Sequence, residues 1–266
     1  MSGDIKSVEK AMHLLDMLAA ARTPLSLQEL SMRCGYPKST VYGLLSTLRQ
    51  FHVIEQDGVT GHYRLGMHLF ELGNVVSSSW DVLGTARNYM PAIAQTIGET
   101  AGLWMYQENE VICLLQQDTG NPMRVVTQAG TRFPVHCTAT GKAILTWMPD
   151  RELRLRQMER TNAMSVFTPH TIVTREGMLR EMERIRGNGV AIENGEHFIG
   201  LRSVAAPVFD SSDIPRYALA VSGMFRSIKE EHFTKAACMI WEACMNMSRD
   251  MGYMKEYPPY RLRFDE

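Results

Sequence analysis

The chain has 266 residues, a formal net charge of −1 and a hydrophobic fraction of 45%. This length suits two globular domains, and the hydrophobic content excludes an intrinsically disordered chain. The near-zero charge excludes a general polyanion-binding surface, since residues 1–65 hold seven Lys or Arg against six Asp or Glu. Any nucleic-acid binding must therefore depend on where a few side chains are placed.

The cysteines and the apolar runs restrict the class of protein further. The five cysteines show no paired metal-ligand spacing, and no uninterrupted apolar run approaches the roughly 20 residues that cross a bilayer. No cleavable leader is recognised at the start of the sequence. We therefore expect a reduced, cytoplasmic protein with no membrane association and no cofactor.

The stretch from Ser26 to Gly66 predicts a winged helix-turn-helix. Ser26 and Glu29 have the spacing of a capping box, and Gly35-Tyr36-Pro37 ends the helix that they begin. A second helix is predicted from about Lys38 to Phe51, with an apolar stripe at buried spacing. That stripe consists of Val41, Leu44, Leu45 and Leu48.

The opposite side of the second helix is predicted to contact DNA through Lys38, Ser39, Thr40 and Tyr42. A hairpin over residues 53–65 then forms the wing, in which Arg64 is expected to meet the DNA backbone. The alternative is an ordinary helix pair packed against a hairpin with no role in DNA binding.

Beyond the wing, residues 67–81 predict a linker helix whose apolar stripe through Leu69, Leu72, Val75 and Val76 needs a partner. A second copy of the chain would supply one, so we expect a homo-oligomer. The domain boundaries predicted in this way are 1–66, 67–81 and 82–266.

Residues 82–266 predict a mixed α+β domain with an antiparallel sheet. Residues 101–106 and 111–116 have the pattern of a hairpin, and a loop is expected over 118–131. Thr138 or Thr140 and Thr174 are positioned to begin helices. The remaining strands are predicted at 190–193, 203–209 and 217–223, before a final helix over about 229–251.

Several motifs in this order resemble the IclR family of bacterial transcriptional regulators. The segments that carry the resemblance are Lys38 to Tyr42, Tyr63 to Gly66, His136 to Ala143, Gly189 to Glu196 and Gly200 to Asp210. The resemblance extends from about Ser7 to Arg249. It implies a dimeric or tetrameric regulator, more often a repressor, with a winged helix-turn-helix for operator DNA and a GAF-like domain for a small-molecule effector.

Three positions depart from the family pattern. Gly43 stands where a larger, often basic residue is common, so one expected DNA contact is absent. Ser203 stands where cysteine is frequent and Glu193 where aspartate is usual, so the effector of a relative cannot be transferred to this chain.

By position, the resemblance implies an effector site at Ala139, Thr140, Glu193, Ser203, Ala220 and Ser222. Gly141 is included in the predicted site, because Thr138 to Gly141 would begin a helix whose unpaired N–H groups and positive end favour a carboxylate. Trp104 and Met105 point to opposite faces of a predicted strand, so only one of them is expected to cover the effector. Trp104 could instead belong to the core, and the two serines could bond only to neighbouring backbone.

His136 and Cys137 leave two further alternatives open. A nucleophile and base at adjacent positions would indicate an enzyme, but neighbours on an extended segment point in opposite directions. A metal-binding sensor would use these two residues with His197. We expect neither catalysis nor a metal site.

Overall fold

The computed structural model describes residues 5–21, 23–78, 81–224 and 230–261. The chain divides into two compact units, Met1–Trp80 and Asp81–Glu266. Ser79 and Trp80 of the predicted linker, and Lys229 at the predicted start of the last helix, lie outside the described residues.

The first unit is a helix-turn-helix followed by a two-stranded wing. Its elements are α1 (Lys6–Ala21), α2 (Leu27–Cys34), α3 (Lys38–Gln50), β1 (Ile54–Gln56), β2 (Tyr63–Leu65) and α4 (Met67–Ser78). Its core joins buried side chains of α1, α2, α3 and the wing, namely Leu14, Leu15, Leu18, Leu25, Leu30, Val41, Leu45, Ile54 and Tyr63. The predicted winged helix-turn-helix is confirmed.

The predicted capping box defines the start of α2. The backbone N–H of Ser26 donates to Glu29 Oε2 at 2.8 Å, and the N–H of Glu29 donates to Ser26 Oγ at 3.2 Å. Two N–H groups that the first helical turn leaves without partners are thereby satisfied. At the other end Gly35 has a φ of 69°, a left-handed conformation that glycine adopts without a steric penalty.

The wing is an antiparallel ribbon that pairs Ile54 with Leu65 and Gln56 with Tyr63. Asp57 closes its turn, because its Oδ1 accepts the N–H groups of Val59 and Thr60 at 3.0 and 2.7 Å.

Helix α4 leaves apolar side chains exposed both within the predicted stripe and outside it. Leu69 packs against the core of the first unit, whereas Met67, Phe70 and Leu72 are exposed by 61, 64 and 49%. The side chain of Val76 lies outside the described part of the chain. The exposed side chains therefore include Leu72, a member of the predicted stripe, and Met67 and Phe70, which lie outside it.

The second unit is built on a six-stranded antiparallel sheet with the order β5-β4-β3-β8-β7-β6. Its strands are β3 (Thr100–Gln107), β4 (Glu110–Gln117), β5 (Arg132–Pro134), β6 (Ala191–Asn194), β7 (Leu201–Phe209) and β8 (Pro215–Met224). Its helices are α5 (Asp81–Ile97), α6 (Ala139–Trp147), α7 (Arg151–Arg160), α8 (Arg175–Asn188) and α9 (Glu230–Asp250). This confirms the predicted α+β class.

Helices cover both faces of the sheet. Helices α5 and α9 contact one face, and α6 packs on the other, with α8 against it. The face under α6 consists largely of small residues, because one register row joins Ala191, Ala205, Ala220 and Gly102 across four strands. The next row on that face joins Glu193, Ser203 and Ser222. Polar groups therefore lie beside a helix that the small row allows to approach closely.

Most predicted elements of this unit are present. The predicted hairpin is β3 and β4, and Thr174 caps α8 by accepting the Gly177 N–H at 3.2 Å. The sequence reasoning did not predict β5, a three-residue edge strand paired with β4. No helix in the described ranges is long and apolar enough to cross a lipid bilayer.

Candidate functional site

The N-terminal end of α3 is the exposed part of the helix-turn-helix. Lys38, Ser39 and Tyr42 are exposed and Thr40 is half-buried, while Val41 between them is fully buried. Pro37 precedes the helix and supplies no side-chain cap, so the first N–H groups of α3 are left uncapped. All four residues predicted to contact DNA therefore lie at one accessible helix end.

Arg64, the predicted contact of the wing, projects from β2 with 64% of its side chain exposed. Its Nη2 lies 2.8 Å from Glu55 Oε2 on the paired strand, so the guanidinium is held across the ribbon. An ion pair this exposed is weak. A phosphate could therefore replace Glu55 at small cost.

A cavity of about 360 Å³ lies in the second unit, between the start of α6 and the sheet. Residues from β3, β6, β7 and β8 line it together with loop residues 125–127 and 197–199. The lining residues are Trp104, Val125, Val126, Thr127, Phe133, Thr138, Thr140, Glu193, His197, Phe198, Ile199, Leu201, Ser203, Ala220, Ser222 and Met224.

The structure brings together six of the residues predicted for an effector site. These are Trp104, Thr140, Glu193, Ser203, Ala220 and Ser222. Met105 does not join them, because strand alternation turns it to the other face of β3. There it pairs with Ile112 and Tyr217.

Ala139 and Gly141 also lie outside the cavity lining. Ala139 is 1% exposed and packs into the core cluster beneath α6. Gly141 lies against the backbone of Val135, which a Cβ at this position would strike. Both residues let α6 pack closely, and neither reaches the cavity with its side chain.

Thr138 organises the start of α6. Its Oγ1 accepts the N–H of Gly141 at 3.2 Å, and its carbonyl accepts the N–H of Lys142 at 3.0 Å. No group in the described part of the chain accepts the N–H of Thr140, which lines the cavity. The helix start therefore offers a backbone donor to a ligand.

The polar side of the cavity is the row of Glu193, Ser203 and Ser222. Ser203 Oγ lies 3.0 Å from Ser222 Oγ, and the backbone N–H of His197 donates to Glu193 Oε1 at 3.2 Å. Burial raises the pKa of Glu193 to about 7, and the hydrogen bond from His197 opposes that shift. The cavity therefore contains a carboxyl group that exchanges a proton with solvent near neutral pH.

The opposite wall is aromatic. The ring centroids of Trp104 and Phe133 are 5.4 Å apart, those of Phe133 and His197 4.8 Å, and those of His197 and Phe198 4.1 Å. Gly102 makes room for this wall, since a Cβ there would lie 2.7 Å from Nε1 of Trp104. The indole therefore lies across the backbone of its own strand.

Sequence reasoning missed part of the lining. Leu201 and Met224 could have been found by alternation, because each is two residues from a predicted serine on the same strand. The other missed residues are Val125, Val126, Thr127, Phe133, Phe198 and Ile199. The sequence suggests Thr138 only as a helix start and His197 only as an alternative metal ligand. No local pattern shows which loop will cover a sheet.

Lys142 lies behind the cavity and is fully buried. Its Nζ donates to Glu181 at 3.0 Å, to the Ile192 carbonyl at 2.6 Å and to Glu196. This ion-pair network joins α6, α8 and the turn after β6. Lys142 thereby fixes the turn after β6, which leads into the cavity-lining residues 197–199.

The His136 and Cys137 alternatives do not fit the geometry. Burial raises the pKa of Cys137 to about 12, which disfavours a thiolate. His136 is fully buried, with Nε2 3.0 Å from the Ser165 carbonyl. His136, Cys137 and His197 do not form a metal-binding group, and no other set of three or more such ligands occurs among the described residues.

Comparisons with known proteins agree with this architecture. The family described as "IclR helix-turn-helix domain" matches residues 7–58, and "Bacterial transcriptional regulator IclR C-terminal" matches residues 74–249. The HTH-type transcriptional regulator XynR of Escherichia coli (strain K12) is 29% identical, over 94% of this chain and 98% of that protein. The transcriptional repressor IclR of the same strain is 25% identical, over 96% of this chain and 93% of that protein.

A solved IclR-type transcriptional regulator from Alicyclobacillus acidocaldarius has the same fold. The TM-score is 0.80 at 26% identity, with 92% of this chain and 98% of that chain covered. The relatives are transcriptional regulators and not enzymes, which removes the catalytic alternative. The chain belongs to the IclR family of bacterial transcriptional regulators.

Proposed function

We propose that this protein is a homo-oligomeric repressor that binds operator DNA and responds to a small carboxylate. One observation carries the proposal: an exposed polar helix end in one unit accompanies a largely apolar cavity with hydrogen-bond donors in the other. The repressor of E. coli named above supports the sign of regulation. Because the target is chromosomal DNA, the protein would act in the cytoplasm.

For DNA, the proposed contacts are Lys38, Ser39, Thr40 and Tyr42 in the major groove and Arg64 on the backbone. The uncapped N–H groups of α3 suit a phosphate, and the hydroxyl groups suit base edges. Residues 1–65 are nearly balanced in charge, so a single copy would bind weakly. Two copies would gain affinity by engaging two half-sites at once.

For assembly, the proposed interface includes the exposed apolar side chains of α4. Met67, Phe70 and Leu72 are exposed on one short helix, and a second copy could cover them. Phe70→Glu should shift the sedimenting species toward monomer. Leu153→Glu changes an equally exposed leucine on α7 and should leave the assembly intact. An unchanged assembly in the Phe70 variant would remove α4 from the interface.

For the effector, the proposed contacts are Thr140, Ser203, Ser222 and Trp104, with the carboxylate at the start of α6. Thermal unfolding against a panel of aliphatic, keto, sugar and aromatic acids tests this directly. A ligand at about a hundred times its Kd adds roughly 2.7 kcal/mol to the domain that binds it. Ser222→Val should keep DNA binding and lose most of this response. An unaltered response would exclude Ser222 from the site.

DNA binding is tested by fluorescence anisotropy on the DNA upstream of the gene. Thr40→Ala should weaken binding by about 1–3 kcal/mol while the effector response is kept. Arg64→Ala should reduce the dependence on salt by about one released ion. Arg156→Ala removes an exposed arginine from the second unit and serves as the control. Normal binding by both test variants would refute the assigned helix face and wing contact.

A further inference from the structure

The cavity contains several hydrogen-bond donors that no group in the described part of the chain satisfies. No described group accepts from the backbone N–H of Thr140, from its hydroxyl or from Nε1 of Trp104. Ser203 Oγ lies 3.0 Å from Ser222 Oγ and also bonds to Glu193, so the Ser222 proton is free for a ligand when Ser203 donates to Ser222 and not to an ionised Glu193. Such a lining fits a ligand that brings acceptors, as a carboxylate does.

Cationic side chains are missing from the same lining. No Lys or Arg is among the described residues that line the cavity. The buried Nζ of Lys142 is close, but Glu181, Glu196 and the Ile192 carbonyl already accept from it. A ligand with one negative charge can be held by neutral donors, whereas a second charge would be left without compensation.

Glu193 is the acidic residue of the cavity lining, and no described Lys or Arg forms an ion pair with it. The groups that influence it are Lys142 on α6, Glu196 and His197 in the turn after β6, Cys137 before α6, and Ser203 on β7, whose hydroxyl bonds to the carboxyl group. Lys142 is shared by two other carboxylates, with Arg184 also bound to Glu181. His197 carries little charge, because burial lowers its pKa. An ionised Glu193 would therefore repel an anionic ligand, because no cation is paired with Glu193 alone.

We propose that the cavity takes up a planar monocarboxylate together with one proton, with the ligand carboxylate ionised at the start of α6 and the proton held by Glu193. The proton comes from solvent, and the protonated carboxyl group becomes one more donor to the ligand. The wall of Trp104, Phe133 and His197 covers the flat part of the molecule. This inference rests on the proposed effector site and specifies which acids it accepts.

The raised pKa of Glu193 makes it suited to hold this proton. Burial raises the pKa of Glu193 to about 7, so protonation near neutral pH is easily reached. A second carboxylate nearby raises that pKa further, since like charges disfavour ionisation. The same arrangement selects against dicarboxylates, which add a charge without adding a cation. Glu193 is therefore a specificity-determining residue.

Three probes of nearly the same shape test which ligand charge the cavity prefers: benzoate is negative, benzamide neutral and benzylamine positive. Calorimetric titration of the full-length protein should detect benzoate most strongly. Ordinary carboxylic acids ionise near pH 4, so benzoate stays charged from pH 6 to 8.5. Its Kd should rise about tenfold per pH unit above the pKa of Glu193. Titrations in phosphate and in Tris should differ in heat by the uptake of one proton.

Glu193→Gln keeps the size and a hydrogen-bond donor but cannot ionise. Benzoate should then bind with the same Kd from pH 6 to 8.5, and at pH 8.5 at least about tenfold more tightly than to the original protein. Glu152→Gln, an exposed acid on α7, should keep the original pH profile. Proton uptake by the unmodified protein tests the proposal even if the Glu193 variant folds poorly.

Several results would overturn the proposal. One is weaker benzoate binding by Glu193→Gln at every pH, which would mean that an ionised Glu193 accepts from the ligand. Others are tighter binding of benzylamine than of benzoate, no heat from any of the three probes, or benzoate binding without proton uptake. Operator binding measured on the same sample tests the DNA-binding function separately. Failure of the proton-coupled site can therefore be told apart from failure of the proposed regulator function.

Discussion

The two units of this chain place their polar groups in opposite ways. In the first unit, the residues at the start of α3 lie at the surface above a core of aliphatic side chains and Tyr63. In the described part of the chain, every buried polar or charged side chain belongs to the second unit. DNA binding requires groups that water already solvates, whereas selecting a small molecule requires groups taken out of water. The second unit must therefore tolerate buried charge, and changes there should have the larger effects.

Lys142→Met should give the largest effect, a loss of about 3–5 kcal/mol in the stability of the second unit. The variant leaves Glu181 and Glu196 buried without their shared cation. Chemical denaturation followed by tryptophan fluorescence would measure the change. Lys235→Met, on the exposed side of α9, should change stability by less than about 0.5 kcal/mol. Equal losses of stability in the two variants would contradict the expected difference between a buried and an exposed lysine.

Glu193→Gln should alter how stability depends on pH. Because the pKa of folded Glu193 is raised from 4.5 to about 7, the native state holds a proton that the unfolded chain loses. Its contribution to stability is present below pH 4.5 and is lost as the pH rises toward 7. Glutamine does not titrate, so the variant keeps its stability as the pH rises. Its free energy of unfolding, relative to that of the original protein, should therefore increase by about 1.4 kcal/mol per pH unit over that range. Parallel stability curves between pH 5 and 7 would mean that Glu193 is ionised throughout.

Gly141→Ala and Gly43→Ala compare the same substitution in the two units. At Gly141 the added methyl meets the Val135 backbone, so a loss of about 1–3 kcal/mol is expected. At Gly43 no atom lies within 4 Å of the added carbon, and alanine favours a helix, so a gain of up to about 1 kcal/mol is expected. Thermal unfolding would measure both. A stabilised Gly141 variant would show that α6 can move away from its support.

Glu55→Ala should have the smallest effect on stability. Its ion pair with Arg64 is solvent-exposed on the wing, so the change should be less than about 0.5 kcal/mol. Urea denaturation at low and high salt would measure it. A loss comparable to that of Lys142→Met would mean that exposed and buried ion pairs contribute alike here.

The difference between the two units also explains which features could be predicted from the sequence. The capping box, the helix-turn-helix and the wing are set by residues a few positions apart, and all three are present. In the second unit, strand alternation and motif position placed Glu193, Ser203 and Ser222 beside one another. They did not place residues 125–127 or 197–199, because long-range packing decides which loop covers a sheet. Nor did they show that Lys142 is shared between two carboxylates distant in sequence.

The indole of Trp104 lies where any side chain at position 102 would have to be. The two positions therefore cannot vary independently over evolution. A descendant that gains even a methyl group at position 102 must reposition or replace the tryptophan, and a relative with a smaller residue at 104 loses the constraint on 102. Among relatives of this protein, covariation between positions 102 and 104 should mark lineages that have changed the molecule they sense.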